Sequence, residues 1–212
     1  MILYDYFRSS AAWRVRIALA LKQLEVTQVA VSLVDGEQGG AAYRALNPQG
    51  LVPALDTGEA VLSGSLAIIE WLEERHPEPP LLPREPTARA LARGMAQLIA
   101  CDIHPLNNLR VLNYLRGPLG QDDAAVRTWY AHWIGEGFRA LEARVQAGAV
   151  GPAAAQGPFL GGTRPGLADL CLVPQVYNAR RFDVPLEAYP RLLAAEAACL
   201  ALPAFSATAP RG

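Results

Sequence analysis

The chain has 212 residues, 51% of them hydrophobic, with 19 basic and 20 acidic side chains and a formal net charge of −1. That length suits one large domain or two small ones with a real core, and the balanced charge excludes the broad basic surface that nucleic acid or an anionic membrane requires. No run reaches the roughly 18 apolar residues of a membrane span, and Met1 leads straight into a strand pattern rather than a signal segment, so a cytoplasmic protein is expected.

Ile2 to Phe7 reads as a strand that runs into Arg8-Ser9-Ser10-Ala11-Ala12-Trp13-Arg14-Val15-Arg16, the start of a helix reaching Lys22. Two hydroxyls therefore stand at a strand-to-helix turn. Free backbone N–H groups and partial positive charge at a helix start suit an anion such as a thiolate, although these residues alone favour a plain capping role for Ser9 or Ser10. Val26 to Leu33 reads as a second strand, parallel to the first across a crossover. A polar loop, Asp35 to Gly40, precedes a short helix, Ala41 to Leu46.

After the turn Asn47-Pro48-Gln49-Gly50, residues 51 to 56 and 60 to 62 form a hairpin pattern. Pro53 near a strand start marks either a sheet edge or a cis bond. In the cis case the Val52 backbone faces outward and can pair with an extended peptide as an added strand would. Ser65 reads as the N-cap of a helix over residues 66 to 75 and offers a second anion site. The order βαβαββα makes a small α/β layer domain.

His76 to Pro86 carries five prolines in eleven residues and reads as a stiff linker. Beyond it the strand signals stop. Residues 88–115, 124–145, 167–181 and 189–200 read as helices, 149–165 as a loop and 208–212 as a frayed tail. The fold class is thus α/β followed by an all-helical domain.

The polar patch Cys101-Asp102-Ile103-His104-Pro105-Leu106-Asn107-Asn108-Leu109-Arg110 interrupts an apolar helix, and Pro105 should kink it. It reads either as an interhelical polar knot or as cleft lining. Arg180 and Arg181 complement a helix C-terminus, and Arg8 pairs with a surface carboxylate or a ligand. Asp169, three positions past Gly166, reads as a capping carboxylate. Cys101, Cys171 and Cys199 suit reduced, buried thiols. Neither His76 nor His132 has partners at metal-ligand spacing, so no metal site is expected.

Taken together, Ser-Ser before Trp-Arg-Val-Arg-Ile-Ala-Leu, Asn-Pro-Gln-Gly-Leu-Val-Pro, Ser-Leu-Ala-Ile-Ile-Glu-Trp-Leu, Asp-Ile-His-Pro-Leu-Asn-Asn-Leu-Arg and Ala-Asp-Leu-Cys-Leu-Val-Pro-Gln-Val resemble the zeta class of glutathione transferases, from about residue 2 to residue 205. Within it the chain is similar to the maleylacetoacetate and maleylpyruvate isomerases. The resemblance implies a thioredoxin-like glutathione-binding domain over residues 1–80, an all-helical domain over 87–212, glutathione as cofactor and a homodimer. Its glutathione positions fall on Ser9, Ser10, Ala11, Gln38, Val52, Gly64 and Ser65, with Asp102, His104, Asn108 and Arg110 lining the cleft, in part from the partner subunit. Ser9 and Ser10 carry the catalytic role, while Arg8 and Arg181 bind the carboxylates of a small dicarboxylate substrate.

The implied reaction is thiolate addition to a conjugated cis double bond, rotation, and elimination to the trans isomer. Helix-start N–H groups, hydroxyls and arginines suit the negative charge this develops. Three positions depart from the family pattern: Ala11 stands where Cys is frequent, Gly64 where Gln is common, and Gly166 where a capping Thr or Ser is usual. The expected activity is isomerisation of maleylacetoacetate in tyrosine and phenylalanine breakdown. The alternatives are maleylpyruvate isomerisation in the gentisate route, conjugation or dehalogenation of small α-halo acids, and glutathione binding without catalysis.

Overall fold

A computed structural model describes residues 1–148 and 157–210. The chain divides into two compact units, Met1–Leu81 with Ala201–Gly212, and Leu82–Leu200.

The first unit is built on a four-stranded sheet in the order β2-β1-β3-β4, with β1 Ile2–Asp5, β2 Thr27–Ala30, β3 Ala54–Asp56 and β4 Val61–Ser63. β1 and β2 run parallel, whereas β3 is antiparallel to both β1 and β4. Alternation along β1 sends Leu3 and Asp5 to one face and Tyr4 to the other. The helices α1 (Ser10–Leu21) and α3 (Ser65–Arg75) pack together, and Leu3, Val15, Leu55, Ile68 and Leu72 are fully buried. Opposite, α2 (Ala41–Leu46) brings Tyr43 into a cluster with Val31, Val52, Tyr4, Tyr6, Leu33 and Leu46.

Two buried ion pairs tie the unit together. Asp5 takes both its oxygens to Arg16 Nη1 at 2.7 Å, and Arg16 Nη2 also donates to the Phe7 carbonyl at 2.9 Å. Lys22 Nζ donates to Glu73 at 2.8 Å and to the carbonyls of His76 and Pro79 at 2.6 and 3.1 Å. Glu73 in turn accepts the Leu81 N–H. The proline-rich segment is thereby held by side chains, with no helix or strand of its own.

The second unit holds α4 (Pro86–Gln97), α5 (Leu109–Arg116), α6 (Asp123–Gln146), α7 (Leu167–Arg181) and α8 (Pro190–Leu200). The continuous helix expected over 88–115 is broken. A wide π-type turn spans Leu98–Ile103 and a tight 3-10 turn spans His104–Asn107, where Pro105 has no N–H to give and Asn108 starts α5 as its cap. Glu142 of α6 is buried and accepts the Arg191 and Leu192 N–H groups at 3.0 Å each, capping α8 from a neighbouring helix.

Three further expectations are corrected. The second strand is only Thr27–Ala30, and all four residues are exposed, as befits a sheet edge. Cys101 is exposed while Cys171 and Cys199 are buried. Thr208 is tied down: Trp13 Nε1 donates to its hydroxyl at 3.0 Å and Arg16 Nε to its carbonyl at 3.2 Å. With the short α9 (Pro203–Ser206), residues 201–210 thus group with the first unit rather than with the helices before them. Of the loop expected over 149–165, residues 149–156 lie outside the described residues, as do 211 and 212 of the tail.

Candidate active site

In the first unit three pieces meet at one end of the sheet. Ser9 is the N-cap of α1, its N–H bonded to the Tyr6 carbonyl at 2.8 Å and its Oγ accepting the Ala12 N–H at 3.2 Å. A hydroxyl that accepts still has its own proton to donate. Capping and anion binding are therefore compatible in Ser9. Ser10 follows as the first helical residue and is buried, beside the half-buried Ala11.

The Val52–Pro53 bond is cis. Asn47 holds the turn before it: its amide donates to the Leu51 carbonyl at 2.8 Å, where the Tyr43 hydroxyl also donates at 2.7 Å. Ala54 pairs with Tyr4 on one side and Ser63 on the other. Val52 thus precedes β3 at the end of the sheet where β1 ends and β4 runs into α3. Among the described residues nothing bonds to the Val52 N–H or C=O. The cis bond is the one of the two readings of Pro53 that the structure adopts, since β3 is an inner strand of the sheet.

Ser65 is not the cap of α3 but its first residue. Gly64 takes the cap position at φ 84°, a left-handed conformation that disfavours a side chain. No side chain caps this helix start, and the first intrahelical bond is Ile68 N–H to the Gly64 carbonyl at 3.0 Å. The N–H groups of residues 65–67 have no intrahelical partner. The Ser65 hydroxyl is buried and accepts from Arg14 Nη1 at 3.2 Å. Gln38, in the 3-10 turn Glu37–Gly39, is half-buried with its Oε1 unpartnered among the described residues. Its carbonyl would stand 2.8 Å from any Cβ at Gly50, so the two turns touch backbone to backbone. Arg8 is exposed and donates to the Tyr6 hydroxyl at 3.1 Å.

In the second unit Asp102 and Arg110 are exposed and His104 is half-buried. Asn108 is committed as the α5 cap, accepting the Arg110 N–H at 3.2 Å. The 3-10 turn is pinned to α6, since Trp129 Nε1 donates to the Leu106 carbonyl at 2.8 Å and Asn107 Nδ2 reaches the Tyr130 carbonyl at 3.5 Å. Arg181, at the end of α7, is exposed and lies beside Phe182, whose ring stacks on Tyr130 at 3.8 Å. Burial pushes the Tyr130 hydroxyl pKa up, and the Arg181 charge pulls against it. Arg181 and the 104–107 turn therefore both adjoin Tyr130. Arg180 is taken by a bidentate pair with Glu196.

Asp169 is structural. Fully buried, it accepts the N–H groups of Leu160, Gly161 and Gly166 at 2.8, 3.0 and 2.9 Å. Burial pushes its carboxyl up to about 6 against those three donors, and it faces the Cys199 thiol at 3.8 Å, itself pushed up by burial. No group of His, Cys, Asp and Glu suited to a metal ion occurs among the described residues.

Comparison with known proteins follows the same lines. The family described as "Glutathione S-transferase, N-terminal domain" matches residues 3–80. A maleylacetoacetate isomerase of Pseudomonas aeruginosa is 50% identical over 209 residues, covering 97% of this chain and 93% of its own. A solved holo structure of a maleylpyruvate isomerase, described as a bacterial glutathione transferase of the zeta class, superposes with a TM-score of 0.94 at 50% identity over 99% of this chain and 97% of that one. The chain belongs to the zeta class of glutathione transferases.

A third relative, the maleylacetoacetate isomerase of Methylobacterium extorquens AM1, was solved with bound malonate and glutathione. It superposes with a TM-score of 0.92 at 38% identity over 99% of this chain and 96% of that one. The first unit is the thioredoxin-like domain of the zeta class, and the helical unit completes the transferase fold. Its donor set fits glutathione: an open peptide edge at Val52 for a peptide backbone, an uncapped helix start at Ser65 for a carboxylate, and the Ser9 hydroxyl for a sulfur. At Gly64, where Gln is common in the class, no atom lies within 4 Å of a built Cβ, so the φ of 84° rather than space opposes a side chain. Sequence reasoning missed Tyr6, Trp129, Tyr130 and Phe182. Their aromatic character was visible, but only the fold sets them against the arginines and the 104–107 turn.

Proposed function

We propose that this zeta-class transferase is a glutathione-dependent cis-trans isomerase that converts maleylacetoacetate to fumarylacetoacetate in tyrosine and phenylalanine breakdown. The observation that carries the reading is the meeting of the Ser9 cap, the unpaired Val52 backbone and the uncapped α3 start at one end of the sheet. Maleylpyruvate is the second reading, favoured by the 50% identity to a solved maleylpyruvate isomerase. Both substrates carry two carboxylates beside a cis double bond.

Bound glutathione supplies the thiolate that adds reversibly to the conjugated bond and frees it to turn. Ser9 and Ser10 hold that sulfur as an anion: the Ser9 proton and the first free N–H groups of α1 favour charge there. Val52 pairs with the peptide backbone, Ser65 and the N–H groups after it bind the γ-glutamyl carboxylate, and Gln38 reaches the glycine end. Asp102, His104, Asn108 and Arg110 line the cleft, in part from the second subunit of a homodimer. Arg8 and Arg181 take the substrate's carboxylates in forked hydrogen bonds. With Ala11 in place of a cysteine, the hydroxyls act without help from a protein thiol. No helix of the described residues is long and apolar enough to cross a membrane, in keeping with work on soluble metabolites in the cytoplasm.

The test is an absorbance assay with maleylacetoacetate and maleylpyruvate, with and without glutathione. Glutathione-dependent loss of the cis keto acid is expected. Intact glutathione binding without turnover of either acid would sink the isomerase reading.

A further inference from the structure

The two arginines assigned to the substrate carboxylates each rest on aromatic rings of their own unit. The Arg8 guanidinium carbon lies 5.1 Å from the Phe7 centroid and 5.9 Å from that of Tyr6. Its Nη2 donates to the Tyr6 hydroxyl at 3.1 Å, and the two rings meet edge to face at 5.0 Å. Phe7 is 47% exposed, so its ring is not spent on the core. In the other unit the Arg181 guanidinium lies 5.9 Å from both the Tyr177 and the Phe182 centroids. Phe182 is stacked on Tyr130 at 3.8 Å and 15°, and Tyr130 is 1% exposed. Arg181, Phe182 and Tyr130 thus form a tier whose base is anchored in the helical core.

Charge pairing sets these arginines apart from their neighbours. Arg16 is held by Asp5 and Arg180 by Glu196, whereas among the described residues neither Arg8 nor Arg181 has an ion pair. A ring attracts a guanidinium to its face and leaves the donors on the guanidinium edge for another partner. Holding a long side chain in advance also lowers the ordering cost at binding.

We propose that Tyr6 with Phe7, and Phe182 backed by Tyr130, are positioning residues that hold Arg8 and Arg181, each within its own unit, with guanidinium donors left for a substrate carboxylate. The inference rests on the reading of those arginines given above. Its consequence is specific: loss of a ledge weakens recognition of the dicarboxylate and leaves glutathione binding and the chemical step alone.

The experiment compares Tyr6→Phe, Phe182→Leu and Phe182→Tyr with Arg8→Leu and Arg181→Leu. KM for maleylpyruvate and maleylacetoacetate, KM for glutathione and kcat are measured, together with calorimetric binding of malonate to the glutathione-loaded protein, which needs no turnover. Tyr6→Phe and Phe182→Leu are expected to raise the keto-acid KM and the malonate Kd about two- to fivefold, with kcat and the glutathione KM unchanged. Phe182→Tyr should restore the wild-type values, and Phe182→Leu should add nothing in the Arg181→Leu background. Equal effects of Phe182→Leu with and without Arg181, or a lowered kcat and melting temperature at constant KM, would overturn the proposal. So would unchanged KM and Kd in Tyr6→Phe, a variant that keeps its ring. If Arg8→Leu and Arg181→Leu themselves leave malonate binding intact, the reading of the arginines fails first and the ledges fail with it.

Discussion

Arg14 Nη1 donates to the Ser65 hydroxyl at 3.2 Å, so a buried guanidinium from the middle of α1 sits at the uncapped start of α3. The cation adds to the partial positive charge of the helix start and makes the place doubly suited to a carboxylate.

Ser65→Ala removes the acceptor of this buried contact. A loss of about 1–2 kcal/mol is expected from the hydrogen bond to a charged donor, read as a lower urea midpoint. The glutathione KM should rise roughly tenfold through the missing hydroxyl contact, while the keto-acid KM stays put.

Ser9 and Ser10 should separate. Ser9→Ala deletes the cap on Ala12 and is expected to cost about 1 kcal/mol, or about 2–4 °C in melting temperature. Ser10→Ala leaves that cap in place. Its effect should appear in the thiol of bound glutathione, whose titration, followed by thiolate absorbance in the ultraviolet, should move to higher pH. An unmoved titration in both variants would leave Ser9 as a cap alone and Ser10 with no part in holding the sulfur.

The Asp169 carboxyl, pushed up from 3.8 to about 6 by burial, makes a signed prediction. Between those values the unfolded chain has released this proton and the folded chain still holds it. The group's contribution to stability is therefore greatest below about pH 4, is lost as pH rises to about 6, and is constant above. The loss is on the order of 3 kcal/mol at most. Asp169→Asn is destabilising throughout, because an amide cannot accept all three N–H groups. Its deficit relative to wild type should shrink as pH rises across that window, read from urea midpoints at pH 4, 5, 6 and 7.

Lys22→Met removes the cation paired with the buried Glu73 carboxylate and frees the His76 and Pro79 carbonyls. Both side chains of the pair are buried, at 0% and 6% exposure. A cost of about 3–5 kcal/mol follows for breaking such a pair. The double change to Lys22→Met with Glu73→Leu should cost less than Lys22→Met alone.

Much of this was readable in the chain. The βα start at Ser9, the hairpin after Pro53 and the helix over residues 167–181 announce themselves by local periodicity and turn chemistry, which need no knowledge of distant neighbours. The helix expected over residues 88–115 was misread because Ala and Leu favour helix on either side of Pro105, and the break is spread over a π turn and a 3-10 turn before Asn108 restarts it. Thr208 looked like part of a tail because its partners, Trp13 and Arg16, lie at the opposite end of the sequence.

By itself, then, the sequence determined the order of elements and the change from α/β to all-helical after the prolines, since these follow from propensity and spacing, while the expectation of a thiolate and dicarboxylate site came from its resemblance to the zeta class. Tertiary structure alone decided which groups meet. The sheet register pairs Ala54 with Tyr4 on one side and Ser63 on the other, Gly64 takes the cap that Ser65 seemed to hold, and Phe182 stacks on Tyr130 while lying beside Arg181. Such pairings are settled by packing and register across residues far apart in the chain, where local preference carries no information.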